Sequence, residues 1–399
     1  MAAINTRDSG NRRIRVANIT EDGRYAGPQR RIALVAAELA TAHNIETVVI
    51  HPRHEAERLI RELKQHGIRS LPVPLHRFSR HPGDLVAAVA LLPLEIARLT
   101  WLLRRGHFDI VHCNSSWQWK GAIAAKLART PVIFHLNDTD APPSVMKLFR
   151  RVAKSCAEGF IVAGERVRDY YLTNTSLSDR PIYEIQAPVL CDDLAVRGHL
   201  PPGNTVEKHT VRIITLANVN PLKDIETLIR AAAALRAIRP ALDAVFFVYG
   251  GLFPSQQKYI VRLQSLMRRL GVSNVHLAGP TDQVVRELAA ADIYLCTSRS
   301  EASPMAIWEA AAAGLPVVST DVGDVCKFNA TCKFAITAPV GDADSLGAAL
   351  LELAENPEKR KELGANGQKL ARSEFDLPVC AERHADAYRS LLTQLRSGS

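Results

Sequence analysis

No CxxC pair and no His/Cys zinc spacing occur among the seven cysteines, which stand singly at Cys113, Cys156, Cys191, Cys296, Cys326, Cys332 and Cys380. An odd, dispersed set reads as reduced, buried thiols in a cytosolic compartment, not as a disulfide framework. There is no Walker A sequence and no GxGxxG between a strand and a helix, so ordinary P-loop and dinucleotide readings lose their main support. The first residues are polar and lack the apolar core of a signal peptide. Nor is there a charge-free run of about 20 apolar residues, as a membrane span requires. The most apolar segment, "LVAAVALLPLEIARLTWLLRR" at 85–105, holds Pro93, Glu95 and Arg98 and ends on Arg104 and Arg105. It reads as a packed or interfacial helix, core-facing before membrane-facing. Internal repeats and low-complexity runs are absent.

What is present is a chain of 399 residues, long enough for two ordinary domains. Its 47% hydrophobic and 6% aromatic content is that of a soluble globular protein, and 23% charge argues against long disorder. The charge is uneven. Residues 1–200 hold 28 Lys and Arg, 23 of them Arg, against 20 Asp and Glu, so nearly all of the net +9 lies in that half. Such a half prefers an anionic partner: a phospholipid surface, a phosphorylated acceptor or nucleic acid. A well-solvated basic surface is the alternative.

Apolar runs of strand length alternate with helical patterns. Strands are expected at 13–19, 46–51, 70–74, 109–114, 131–136, 160–163 and 182–186, with helices at 28–42 and 55–66. The pattern breaks at 191–210, where Asp192, Asp193, Pro201, Pro202, Gly203 and Asn204 cluster. It restarts with strands at 212–217, 244–249, 275–277, 293–297 and 317–319. Helices are expected at 222–239, from 249 to 271, at 283–291 and after Pro304, and the chain from about 345 reads as mostly helical. Short apolar strands between helices imply parallel sheets covered on both faces, hence an α/β fold of two doubly wound, Rossmann-like domains. The expected division is 1–195, a linker at 196–210, and 211–375, with a last helix at about 376–399 packing back on the first domain. A ligand would bind in the cleft between the strand C-termini.

Two stretches carry candidate chemistry. In "SRSEASPMAIWEAAAAGLP", 298–316, Ser303 followed by Pro304 is a helix start, serine as cap and proline at the first helical position. The first-turn amides and the helix dipole favour an anion there. Glu301 lies just before the helix and Glu309 about one and a half turns inside it, on the face of Met305. The pair can hold two hydroxyl-bearing ends of one phosphate-containing ligand; spacing alone leaves open two surface glutamates. In "LANVNPLKDIETLIRAAAAL", 216–235, Lys223 sits at a helix start, where a cation opposes the dipole unless a phosphate is near. A solvated lysine is the plain alternative.

Together these stretches resemble the retaining glycosyltransferases of the GT-B fold, in glycosyltransferase family 4 (group 1). Lys223, Asp224, Leu228, Ile229 and Ala231 fit the family's phosphate motif. Ser298, Glu301, Pro304, Glu309, Ala310, Ala312, Gly314, Pro316, Val317 and Val318 fit its donor motif, followed by Thr320, Asp321, Val322 and Gly323. The likeness covers the C-terminal half closely and the N-terminal half more loosely.

The resemblance implies a sugar transfer from a nucleoside-diphosphate sugar, UDP- or GDP-linked, to an acceptor hydroxyl, with retention and without a cofactor or an obligatory metal. Lys223 would neutralise the diphosphate, and Glu301 with Ala302, Ser303, Pro304 and Met305 would hold the donor sugar and phosphate. Glu309 would bind the ribose, and the loop 278–280 would border the base. In "EDGRYAGPQRRI", Gly27 would let the backbone approach the donor phosphate. His135 would lie close to sugar and acceptor, whereas His112 is read as structural. The implied catalytic set is His135, Lys223 and Glu301. Asp138 and Asp140 have a metal-motif spacing but lie in the wrong half. Implied partners are the nucleotide-sugar and a glycan or lipid-linked acceptor, with an anionic membrane surface and no nucleic acid. The implied setting is cytoplasmic, peripheral on the inner face of the cytoplasmic membrane.

The sequence departs from the family at three points. Asn218 stands where an arginine is usual five residues before the lysine, so the diphosphate has one cation fewer unless Arg299 or an N-terminal arginine substitutes. Ala302 replaces a glycine, and Ala26–Gly27 replaces a glycine pair. A nucleotide-sugar epimerase or phosphorylase on the same fold, or a sugar-nucleotide-binding protein without catalysis, are the alternative readings.

Overall fold

The computed structural model describes residues 12–76, 90–195 and 210–397. They form two compact units. One runs to Ile185 and resumes at Cys380; the other is Gln186–Val379.

The first unit is a parallel sheet of seven strands in the order β3-β2-β1-β4-β5-β6-β7. Its elements are β1 (Ile14–Ile19), α1 (Gly27–Ala42), β2 (Ile45–Pro52), α2 (Glu57–Gln65), β3 (Arg69–Val73), α3 (Leu92–Gly106), β4 (Ile110–Asn114), α4 (Trp119–Ala128), β5 (Val132–Leu136), α5 (Pro143–Cys156), β6 (Ala157–Val162), α6 (Glu165–Tyr171) and β7 (Ile182–Glu184). Every residue of β4 and β5 is buried. Strands covered on both faces by crossover helices are apolar over most of their length, and in these two only His112, Asn114 and His135, toward the carboxyl ends, are polar.

The second unit begins with α7 (Cys191–Leu194), followed by β8 (Val211–Leu216), α8 (Ile225–Ile238), β9 (Ala244–Tyr249), α9 (Gln257–Leu270), β10 (Val275–Gly279), α10 (Val284–Ala289), β11 (Ile293–Cys296), α11 (Met305–Ala312), β12 (Val317–Thr320), α12 (Val325–Cys332), β13 (Ala335–Ala338), α13 (Ala343–Glu355) and α14 (Pro357–Leu370). Its sheet is parallel in the order β10-β9-β8-β11-β12-β13. In each sheet the strand order reverses beside the first strand, between β1 and β4 and between β8 and β11. Such switch points open a crevice at the carboxyl ends of the strands, where ligands of open α/β sheets bind. The segments after β1, β8 and β11 are those carrying Gly27, Lys223 and Glu301.

The units divide ten residues earlier than the composition indicates. Asp192 and Asp193 mark a polar break, but the residues before them already belong to the second unit from Gln186 onward. Val189, Cys191 and Leu194 are buried with Trp308 and Phe375 in one apolar cluster. The Val189 amide donates to Phe375 O at 2.8 Å, and its carbonyl accepts from Leu377 N at 3.0 Å. The polar residues there are the exposed side of a packed turn. The expected linker at 196–210 lies, but for its last residue, outside the described residues. The last helix, α15 (Leu377–Ser397), belongs to the first unit from Cys380 onward. Tyr388 meets His112 there, and Arg389 donates to His43 O at 3.1 Å.

Two further differences are local. Strand β13 is absent from the sequence reading, being four residues long and built of small side chains. The helix expected at 222–239 is a 3-10 turn, Pro221–Lys223, then α8. The Asn220 side chain caps that turn, accepting from Leu222 N and Lys223 N, and Asp224 takes a left-handed φ of 46° between the two.

Candidate functional site

In the second unit, hydrogen bonds stitch the segment after β8 to the segment after β11. Arg299 N donates to Leu222 O at 2.8 Å, and Thr297 Oγ1 donates to Lys223 O at 3.1 Å. Arg299 Nε donates to Asp224 Oδ2 at 3.1 Å, an oxygen that also accepts from Thr227 Oγ1 at 2.9 Å. Thr320 Oγ1 at the end of β12 holds Ser298 O at 2.7 Å. Two loops from neighbouring parallel strands are thereby locked to each other and to a third.

On this frame Lys223 Nζ lies 2.5 Å from Glu301 Oε1, and Ser298 Oγ donates to the same oxygen at 2.7 Å. The lysine side chain is 28% exposed and the glutamate 16%. An ion pair in this half-open position is formed yet accessible, so an arriving anion can compete for the ammonium. Glu309, on α11, is 8% exposed. Tyr294 lies on β11, where burial pushes its hydroxyl well above the usual tyrosine range and the charges of Cys296, Glu301 and Glu309 add to the rise. Burial is also the main cause that raises the Cys296 thiol, with Glu301 next.

The start of α11 differs from expectation. The helix begins at Met305, with Pro304 in the cap position and no side-chain cap. The Ser303 hydroxyl instead accepts from the Trp308 indole and from Ala187 N, each at 3.0 Å. Proline has no amide, and Met305 N donates back to Ser303 O at 2.9 Å. Of the expected amides at 303–305, two are thus not on offer as drawn from sequence. Ala302 lies in the bend before them, half-buried.

Asn218 is engaged too. Its Oδ1 accepts from Gly251 N at 2.8 Å, which fastens the glycine pair after β9. Gly250 fits because it has no side chain: a Cβ there would sit 2.1 Å from the Ala217 carbonyl oxygen. Its amide donates to Gly279 O at 2.9 Å, so the 278–280 loop lies against this pair. Arg299, the candidate substitute cation, has its Nε on Asp224 while its side chain stays 61% exposed. Tyr294, Thr297 and the Gly250–Gly251 pair were outside the sequence-derived site, and tertiary pairing alone reveals them; Arg299 and Asp224 were legible, the first as a substitute cation and the second beside Lys223.

In the first unit, Gly27 is the first residue of α1, but its φ is not positive. The crowded glycine of that loop is Gly23, where a Cβ would meet the His54 carbonyl at 2.7 Å. His135 is the penultimate residue of β5 and is 1% exposed. The Arg31 guanidinium donates to its Nε2 and to Asn114 Oδ1 at 2.6 Å. Nε2 is therefore the acceptor and Nδ1 carries the proton. The ring is enclosed in this structure and offers no accessible edge. His112, read as structural, is 2% exposed, and its Nδ1 meets the Tyr388 hydroxyl at 2.7 Å. His384 stacks on both at 5.6 and 6.3 Å. Burial first, then the Arg31 charge, holds His112 and His135 well below the usual histidine range; burial brings His384 to about 4. Asp138 accepts from the Tyr171 hydroxyl and is raised above the usual carboxylate range mainly by burial.

The family model for group 1 glycosyl transferases matches residues 201–370, and that for glycosyltransferase family 4 matches 25–190. Together they take in most of the chain. D-inositol 3-phosphate glycosyltransferase 2 of Catenulispora acidiphila is 30% identical over 203 residues, 50% of this chain and 46% of that enzyme, so the match spans about half its length. D-inositol 3-phosphate glycosyltransferase of Nocardioides sp. is 24% identical over 79% of this chain and 74% of its own length. MMP alpha-(1->4)-mannosyltransferase of Mycolicibacterium hassiacum is 25% identical over 73% of each chain. Among solved structures, a glycosyltransferase from Rickettsia africae superposes with a TM-score of 0.79 at 16% identity, covering 95% of this chain and 99% of its own. Anabaena Alr3699/HepE in complex with UDP and glucose gives 0.77 at 19%, covering 94% and 100%. The two solved structures share the GT-B fold with this chain.

Proposed function

This chain belongs to the group 1 glycosyltransferases of family 4, and we propose that it moves a sugar from a nucleoside-diphosphate sugar to an acceptor hydroxyl with retention of configuration, in the making of a cell-surface polysaccharide or glycolipid. The observation that carries the reading is the Lys223–Glu301 contact at 2.5 Å on the two stitched loops. A diphosphate leaving group gains negative charge as the glycosidic bond breaks. A fixed, accessible ammonium stabilises that charge in the transition state more than in the ground state, which is what lowers the barrier. Glu301, released from the lysine, accepts hydrogen bonds from the sugar hydroxyls, and Glu309 accepts from the ribose. Arg299, braced by Asp224 through Nε with its side chain exposed, supplies the second cation that Asn218 does not.

The leaving phosphate itself takes the acceptor proton on the face from which it departs, since no carboxylate of the proposed site is assigned as a nucleophile. The donor is UDP- or GDP-linked and needs no obligatory metal. HepE is described with UDP and glucose, and one relative, from Corynebacterium glutamicum, is named as GDP-mannose-dependent. Relatives named for D-inositol 3-phosphate point to a phosphate-bearing acceptor, in keeping with the basic N-terminal half. Among the described residues no helix is long and apolar enough to cross a membrane; we assign the protein to the cytoplasmic face of the membrane as a peripheral enzyme.

The test is incubation with UDP- and GDP-sugars and phosphorylated or lipid-linked acceptors. Formation of an α-linked product from an α-linked donor, with release of nucleoside diphosphate, supports the reading. A product of inverted configuration overturns the mechanism. Donor binding without diphosphate release to any acceptor favours a non-catalytic binding protein, and sugar conversion without an acceptor favours an epimerase.

A further inference from the structure

Helix α3 has two faces with opposite fates. Its inner face carries Glu95, Leu99 and Leu103, at 3%, 0% and 1% exposure. Glu95 is fastened from two sides: Oε1 accepts from His76 N at 2.9 Å, and Oε2 accepts from the buried Lys120 ammonium at 3.0 Å. The helix is therefore fixed in place by a buried ion pair and by packing.

Its outer face is apolar and uncovered. Leu94 is 57% exposed and Trp101 53%, with Leu91 at the helix start also exposed. Positions 94, 98, 101 and 105 recur at helical spacing, so Arg98 and Arg105 share this face with the two large side chains. The Arg105 guanidinium lies over the Trp101 ring, 4.6 Å from its centre. Beside the helix, a groove of about 430 Å³ runs to the end of the edge strand β3, lined by Pro72, Pro74, Leu94 and Trp101 together with Arg53 and Arg98. Neither Arg53 nor Arg98 is paired with a carboxylate among the described residues.

A face of this kind needs an occupant that is apolar in depth and anionic at the rim. Exposed tryptophan and leucine of this size are otherwise left in water at a cost that scales with their area. The charged residues that line the groove or cover Trp101, namely Arg53, Arg98 and Arg105, are all of one sign, and the half of the chain that bears them carries nearly all of the net positive charge. Tryptophan and arginine are the residues whose amphipathic side chains suit the headgroup level. We propose that the outer face of α3 and the groove beside it dock on an anionic phospholipid surface. Leu94 and Trp101 enter the boundary between headgroups and acyl chains, while Arg53, Arg98 and Arg105 meet lipid phosphates. The helix lies in the plane of the surface and does not span it. The proposal rests on the peripheral assignment made above and gives it a surface, yet uses none of the donor-site residues.

The test is sedimentation of the full chain with vesicles of phosphatidylcholine alone, or of phosphatidylcholine mixed with phosphatidylglycerol, at low and high salt. The chain is expected to pellet with the mixed vesicles at low salt, to stay free with the neutral ones, and to be released by salt. Trp101 emission shifts to shorter wavelength on binding. Leu94→Ser with Trp101→Ser abolishes binding, and Arg98→Ala lowers the partition about fivefold. These positions are exposed, so melting temperatures stay unchanged; should the apolar pair melt early, Arg98→Glu carries the test by charge alone. Equal binding to both vesicle types overturns the proposal, as does binding that none of these substitutions alters. So does an absence of vesicle binding coupled to self-association that Trp101→Ser abolishes, which makes the face an interface between copies. Stabilisation by nucleotide-sugars, read on the same samples, is untouched by these variants and reports separately on the donor site.

Discussion

Lys223 Nζ lies 2.5 Å from Glu301 Oε1, so the cation of the candidate site is held by a carboxylate of the same site. The pair neutralises itself until an anion takes the lysine. Glu301→Gln therefore frees the ammonium, and a bare nucleoside diphosphate should bind several-fold tighter. Lys223→Ala removes a charge-assisted hydrogen bond and should weaken it about tenfold or more. Titration calorimetry reads both, and equal affinities in the two variants contradict the assignment.

The histidines around Arg31 set an acid limit on stability. His112, His135 and His384 are all held below their ordinary values in the fold, mainly by burial. In the unfolded chain they titrate near 6.5. Below about that pH the unfolded chain binds more protons, so their contribution is fully present above it and is lost as the pH falls toward the folded values. Three such groups give a slope of up to about 4 kcal/mol per pH unit. Denaturant midpoints should fall between pH 6.5 and 5, and less steeply in His384→Gln. A flat profile contradicts the cluster.

Much of this fold was legible in the sequence because parallel strands packed between helices are mostly apolar. Strand β9 falls at 244–249, as the pattern predicts. What was not legible depends on pairing across distance. The polar Asp192–Asp193 step hid a packed turn, since only Val189, Cys191 and Leu194 meeting Trp308 and Phe375 reveal it. Ser303 has the composition of a helix cap, yet its hydroxyl is taken by Trp308 and Ala187, partners 5 and 116 positions away. His135 was legible as a strand end but not as an enclosed ring, because Arg31 reaches it across 104 positions.

Ser303→Ala should accordingly act through Trp308. It leaves the buried indole N–H without its acceptor, a loss of about 1–3 kcal/mol, and shifts the Trp308 emission. A loss of stability with unchanged emission would return Ser303 to a cap role.

Gly250→Ala pushes a methyl against the Ala217 carbonyl, with 2.1 Å between them. Overpacking of a rigid backbone contact costs about 3 kcal/mol, a fall in melting temperature of roughly 6–12 °C for a unit of this size. Gly27→Ala, at the start of α1 without a positive φ, should change stability by less than about 0.5 kcal/mol. Comparable losses in both variants would show that the second glycine is constrained as tightly as the first.

The most direct measurement is the thermal stabilisation of the wild type, Lys223→Ala and Glu309→Ala by a panel of UDP-, GDP-, ADP- and dTDP-sugars. The account predicts that one base class raises the melting temperature of the wild type and that both variants melt like the wild type alone but lose this response. A panel in which no nucleotide-sugar stabilises the wild type, or in which both variants keep the full response, contradicts it.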